Sequence, residues 1–213
     1  MDSATSLDDL FPDRGDFRLP LETSIGHRAT NEAIDLLRTG GVERLSLNTL
    51  GKAALYSPSR FHARVGGRAG MIVMLVGHFA DRWSWRVCQP PSLTEFAWLP
   101  ESPRAIDGVR AWHAVLELAH GEARAGRPKA AAIVAETDRE EWEFLHVVGS
   151  RHCGRPLGDE ETLLIQMTLH GLRSAMAAPS NPMTFGRAHA TLSHVLVTLG
   201  GPPLGDSWSE QNE

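Results

Sequence analysis

The sequence predicts an all-α chain, with a small N-terminal three-helix unit and a larger helical body. Three observations carry that prediction. Apolar residues recur every three or four positions along most of the chain, and no stretch shows the period-two alternation of a strand. Serine caps and glycine stops punctuate the pattern at helix-length intervals. The charge is also uneven. Residues 1–17 carry five Asp and one Arg (−4), residues 18–70 eight basic and four acidic side chains (+4), and residues 71–213 twelve basic and seventeen acidic ones (−5).

In chain order, residues 1–17 read as an acidic disordered tail. Ile25, Ala29, Ala33, Leu36 and Leu37 then mark a first helix, which Gly40-Gly41 stops. Ser46 caps a second helix, with Leu47, Leu50 and Ala54 inward. Ser57-Pro58 opens a third, because serine caps well and proline is pre-set for the first helical position. It runs to about Arg64, buries Phe61 and Val65, and breaks at Gly66-Gly67. A long helix covers about Arg68 to Val87, with Ile72, Leu75, Val76, Phe79 and Trp83 inward, and QPPSL (89–93) breaks it.

Ser102-Pro103 starts a helix that reaches about Ala125 and stops at Gly126-Arg127-Pro128. A short helix over Lys129–Glu136 follows. Thr137 and Glu140 have the spacing of a capping box, so a separate helix is expected from there to about Arg151. Asp159-Glu160-Glu161 puts acid in the first turn of a helix to about Ala178. The last helix spans about Thr184 to Leu199, and Gly200-Gly201-Pro202-Pro203 ends it. The expected total is about nine helices. The expected division is a head at 18–67, a body at 68–200 and a polar tail at 201–213.

Composition narrows the function. Hydrophobic residues make up 42% of the 213 positions, enough for a core, and no apolar run approaches the ~18 residues that span a bilayer. The N-terminus lacks the basic-then-apolar order of a signal peptide, so a cytoplasmic protein is expected. Cys88 and Cys153 fit no disulfide framework or metal spacing. His146, His152 and Cys153 come nearest to a ligand cluster, but no recognised zinc spacing joins them, and no metal or other cofactor is expected. GxSxG, P-loop, dinucleotide-turn and HExxH patterns are absent, and Glu140-Glu141 is explained by a helix first turn, so no enzyme is expected.

The second and third helices, joined by a tight turn at Ala54–Ser57, form a helix-turn-helix layout. In that layout the third helix enters the major groove of double-stranded DNA. Pro58, Ser59, Arg60, His62, Ala63 and Arg64 face outward, and Phe61 anchors inward. Arginine suits bidentate contact with guanine or phosphate. The helix starts at Ser46 and Arg68 offer amides to phosphates. The DNA-binding candidates are Ser46, Asn48, Ser57, Ser59, Arg60, His62, Ala63, Arg64 and Arg68.

"AIDLLRTGGVERLSLNTLGKAA" and "YSPSRFHARVGGRAGMI" resemble the helix-turn-helix region of the TetR-family transcriptional regulators. The likeness covers about residues 25–80. It departs at Leu55, where the family usually has Gly, and at His62, where it usually has Tyr. A left-handed backbone at Leu55 costs about 1 kcal/mol, so the turn is expected to be reshaped. The resemblance implies a homodimeric repressor of palindromic operator DNA. A small-molecule effector, hydrophobic or aromatic, would enter the body, shift the long fourth helix and release the heads.

The body is read on that basis. In the helix from Asp159, Leu164, Met167, Gly171 and Ala175 form one stripe and Ile165, Leu169, Leu172 and Met176 a second, and a helix apolar on two stripes packs on both sides. In the last helix Phe185, Ala188, Leu192 and Val195 step by three and four. The resemblance implies that these two helices build the dimer interface, so Leu164, Met167, Gly171, Ala175, Phe185, Ala188, Leu192 and Val195 are the expected dimer residues. The expected ligand wall is Trp83, Trp112, His113, Phe144, Met167 and His170. The remaining alternative is a helical small-molecule or protein-binding module whose head no longer binds DNA.

Overall fold

The computed structural model describes residues 28–29, 31–33, 35–37, 42–88 and 99–205; the side chains of 43 and 81–88 are not among those described. The acidic tail, Ile25, Gly40-Gly41, the break at 89–93 and the side chain of Trp83 lie outside them, as does the end of the closing tail from residue 206. Every regular element among the described residues is a helix. Residues 28–29, 31–33 and 35–37 are helical, and Val42–Arg44 is a 3-10 turn. Then come α1 (Leu47–Ala53), α2 (Pro58–Val65), α3 (Gly67–Cys88), α4 (Pro103–Arg124), α5 (Lys129–Cys153), α6 (Asp159–Ala177) and α7 (Phe185–Thr198).

α3 leaves the head and packs along α5, the central helix, which also meets α4 and α6; α7 closes the far side against α6. Two apolar cores result. One joins the head to the near half of the body and contains Ala29, Ala33, Leu50, Phe61, Met71, Leu75, Trp112 and Val134. The other holds Phe144, Leu145, Ile165, Leu169, Met176, Ala188, Leu192 and Leu196. The first core is continuous across residue 67, so a shift of α3 is felt directly under the head. Gly70 tightens that junction, because a Cβ there would stand 1.5 Å from the Val65 carbonyl oxygen. No described helix is long and apolar enough to cross a membrane.

One expected boundary is absent. Lys129–Cys153 is a single helix, not two. Thr137 is buried inside it and donates its hydroxyl to the Ile133 carbonyl at 2.9 Å, one turn back. A threonine satisfied this way needs no helix start, and neither glycine nor proline interrupts 129–148. Glu141 is therefore a buried mid-helix residue rather than part of a first turn.

The turn after α1 also differs from expectation. Leu55 adopts φ 62°, so the left-handed geometry is kept. The Tyr56 N–H donates to the Gly51 carbonyl at 2.8 Å and the Leu55 N–H to that of Lys52 at 3.0 Å, the paired bonds of a Schellman motif. α4, α5 and α7 end with the same pair of bonds, but with Gly126, Gly154 and Gly200 at the left-handed position. Leu55 alone bears a side chain there, and that side chain is 79% exposed, so packing repays little of the strain. Leu55→Gly is expected to stabilise the chain by about 0.5–1 kcal/mol, after glycine's larger unfolded-state entropy is subtracted. That corresponds to a rise of about 1–4 °C in a circular-dichroism melt. A lower Tm would mean that the turn is not left-handed in solution.

Candidate nucleic-acid interface

The interface is built on α1 and α2. Ser46 accepts from the Thr49 N–H at 3.1 Å and fixes where α1 begins. Ser57 accepts from the Arg60 N–H at 3.4 Å, Pro58 follows at the first position, and Gly66 closes α2 with φ 79°. A Cβ on Gly51 would stand 3.0 Å from Phe61 Cβ, so the two helices approach as closely as they do because residue 51 has no side chain. Phe61 and Val65 anchor α2 in the first core.

The opposite face of α2 is open. Ser57, Ser59, Arg60, His62, Ala63 and Arg64 are exposed, with Asn48 on α1 and Arg68 at the start of α3. Ser46 is half-buried and engaged with the Thr49 hydroxyl at 2.7 Å as well as its N–H, so its part is to place the helix. The Arg60 guanidinium lies over the Tyr56 ring, 5.1 Å from its centroid, which narrows the directions it can take. Arg68 also lies within electrostatic reach of the body. The hydrogen bond from Arg127 holds the Glu122 carboxyl below its usual pKa against the effect of burial, and the charges of Arg127 and Arg68 add to this. A convex, cationic helix face with its backbone N-terminus exposed is the chemistry that meets phosphates and base edges.

No family model matches the chain, and no curated protein sequence matches it. Solved structures do. A protein from Rhodococcus sp. described as a TetR-family transcriptional regulator superposes with a TM-score of 0.62 at 15% identity, over 84% of this chain and 100% of its own. The chain has the fold of that regulator. A protein from Streptomyces coelicolor A3(2), described as a transcriptional regulator, matches with a TM-score of 0.51 at 14% identity, over 81% of this chain and 98% of its own. The shared all-α fold is seen in the geometry, where sequence comparison finds no match.

Within that fold the body residues are distributed differently from the sequence reading. On α6, Leu164 and Met167 are 47% and 62% exposed, Gly171 is exposed and Ala175 half-buried. On α7, Ala188 and Leu192 are fully buried in the chain's own second core, and Phe185 and Val195 pack against it. That stripe therefore faces inward. The outward face of α7 is displaced, at Ala190, His194 and Val197. Periodicity finds an apolar stripe but does not say which core it serves. Leu163 and Val197, both exposed, were not singled out from the sequence; an apolar residue four before Met167 was the available signal for the first.

The expected ligand wall does not come together as one surface. Trp112 packs on Phe79, ring centroids 6.0 Å apart, in the first core, whereas Phe144 belongs to the second. Met167 points outward. His113 and His170 do lie close. Burial lowers the His113 pKa, the charge of His170 adds to this, and His113 Nε2 is 3.4 Å from the Ser174 hydroxyl. The weak cluster of His146, His152 and Cys153 separates into unrelated roles. His146 stacks on Trp142 and bonds Thr162 at 3.1 Å, and His152 donates to the Pro202 carbonyl at 2.8 Å. Burial raises the Cys153 thiol pKa.

Proposed function

We propose that the chain is a ligand-responsive transcriptional repressor that binds palindromic operator DNA as a homodimer in the cytoplasm. The observation that carries the reading is the exposed α2 face of Ser59, Arg60, His62 and Arg64, opposite a buried Phe61, within a TetR-type fold. Ser57, Asn48 and Arg68 supply flanking contacts, Ser46 sets where α1 begins, and Ala63 is small enough to let the backbone come close. A small hydrophobic or aromatic effector acts between α4, α5 and α6, near Trp112, His113 and His170, with no catalytic step. It moves α3, which shares its core with the head, and so changes the spacing of the two recognition helices. Its effect on DNA affinity cannot exceed its preference for the non-binding state. The deciding experiment is fluorescence anisotropy with DNA flanking the chain's own gene, against a scrambled duplex, over a salt series. Tight binding to the flanking duplex with a steep salt slope is expected; binding to neither duplex at low salt would favour the binding-module alternative.

The proposed dimer face is the exposed stripe of α6, Leu164, Met167 and Gly171, continued by Leu163 and by Val197 on α7. Large apolar side chains this exposed on adjacent helices are the usual mark of a partner surface, and a two-fold copy is the commonest partner. Leu164→Glu combined with Met167→Glu is expected to halve the mass measured by light scattering while leaving the helical spectrum intact, since neither side chain supports a core. A variant that stays dimeric would place the interface elsewhere.

A further inference from the structure

The body contains a second cluster, which shares His170 with the proposed effector region. Asp138 and Glu141 lie one turn apart on α5, and His170 faces them from α6. One carboxylate oxygen from each acid and one ring nitrogen of His170 lie within 4.8 Å of one another. Glu141 is 3% exposed. Its Oε2 is 2.5 Å from His170 Nε2, and its Oε1 accepts from Arg173 Nη1 at 2.6 Å. Gln166 donates to the Asp138 backbone carbonyl at 2.9 Å, which fixes α6 against α5 at this level.

We propose that Asp138, Glu141 and His170 form a binding site for a divalent transition-metal ion, with zinc the best fit. One imidazole and two carboxylates from two packed helices are a three-donor set that leaves a fourth tetrahedral position for water or an effector atom. Bond lengths of about 2.0–2.2 Å to a central ion need only a small opening of the His170–Glu141 pair and an inward turn of Asp138. Arg173 takes the other Glu141 oxygen, so it aims Oε2 at the ion as a supporting hydrogen bond does around a metal ligand. Asp138 is exposed and provides the way in.

The electrostatics fit as well. Two acids placed this close gain from a shared cation. His113 and His120 on α4 border the site through their interactions with His170 and Asp138, and keep the surroundings rich in nitrogen donors. The site is independent of DNA binding, and its test does not rely on an operator.

The test is a titration of tag-free, chelator-stripped full-length protein with zinc in competition with a chromophoric chelator, repeated with cobalt for its ligand-field spectrum. One ion per chain and a tetrahedral cobalt spectrum are expected. Asp138→Asn and His170→Ala are each expected to weaken binding by at least about tenfold, while His189→Ala on α7 leaves it unchanged. Asp138 is exposed, so its variant tests the site even if the His170 variant folds poorly. Stoichiometry well below one, or an Asp138→Asn protein that binds zinc like the parent, would overturn the assignment.

Discussion

Arg60→Ala and Arg64→Ala are each expected to weaken binding to the proposed operator duplex by roughly 30-fold to 20,000-fold without disturbing the fold or the proposed dimer. Both side chains are exposed on the outward face of α2, and neither belongs to a core. A well-placed arginine is worth about 1–3 kcal/mol against a base edge or phosphate. A homodimer presents two copies, so one substitution removes about 2–6 kcal/mol, and each 1.4 kcal/mol is tenfold. Salt dependence separates the two roles. Loss of a phosphate contact lowers the salt slope by about one for each half-site and weakens all sequences alike, whereas loss of a base contact leaves the slope and relaxes sequence preference. Arg60, held over Tyr56, is the better candidate for a directed base contact. Anisotropy of both variants on operator and scrambled duplexes reads these outcomes. Unchanged operator affinity in both would mean that α2 is not the recognition helix.

Local chemistry made much of the fold legible. Ser57-Pro58 and Gly66 bracket α2 at Pro58–Val65, and Ser102-Pro103 opens α4, because capping and proline geometry act within a few residues. What the sequence did not disclose depends on the tertiary environment. Thr137 and Glu140 have the spacing of a cap, but a threonine can equally bond back to Ile133 inside an unbroken helix. The apolar stripe of α7 is real, yet only the packing of α6 beside it shows that Ala188 and Leu192 face inward. Leu55 keeps a left-handed turn that a propensity argument assigns to glycine, since the paired carbonyl bonds hold it there. Among the residues of the candidate DNA-binding face, outward direction was readable because Phe61 and Val65 fix the inward one. The acids of the metal site were not readable, because their partner His170 is 29 residues from Glu141 in sequence and on another helix.

Arg173→Ala is expected to destabilise the body strongly. Arg173 and Glu141 side chains are 7% and 3% exposed, and the guanidinium stands 2.6 Å from the carboxylate. Removing one partner of a buried pair typically costs about 3–5 kcal/mol, because the remaining charge is left in a poor solvent. His170 still engages the other Glu141 oxygen, which puts the expected loss near the lower end, about 3 kcal/mol, or a fall of about 6–12 °C in Tm for a chain of this size. A drop no larger than that of a surface substitution would mean that the pair does not form in solution. The double variant Arg173→Met, Glu141→Leu removes both charges and fills similar volume, so it is expected to recover most of the lost stability. That recovery would separate folding from function at this cluster, because the same protein would lose a carboxylate ligand and with it the zinc site. A chain that folds as well without the charges has no thermodynamic need for them. Their placement between α5 and α6 is then explained by what they hold.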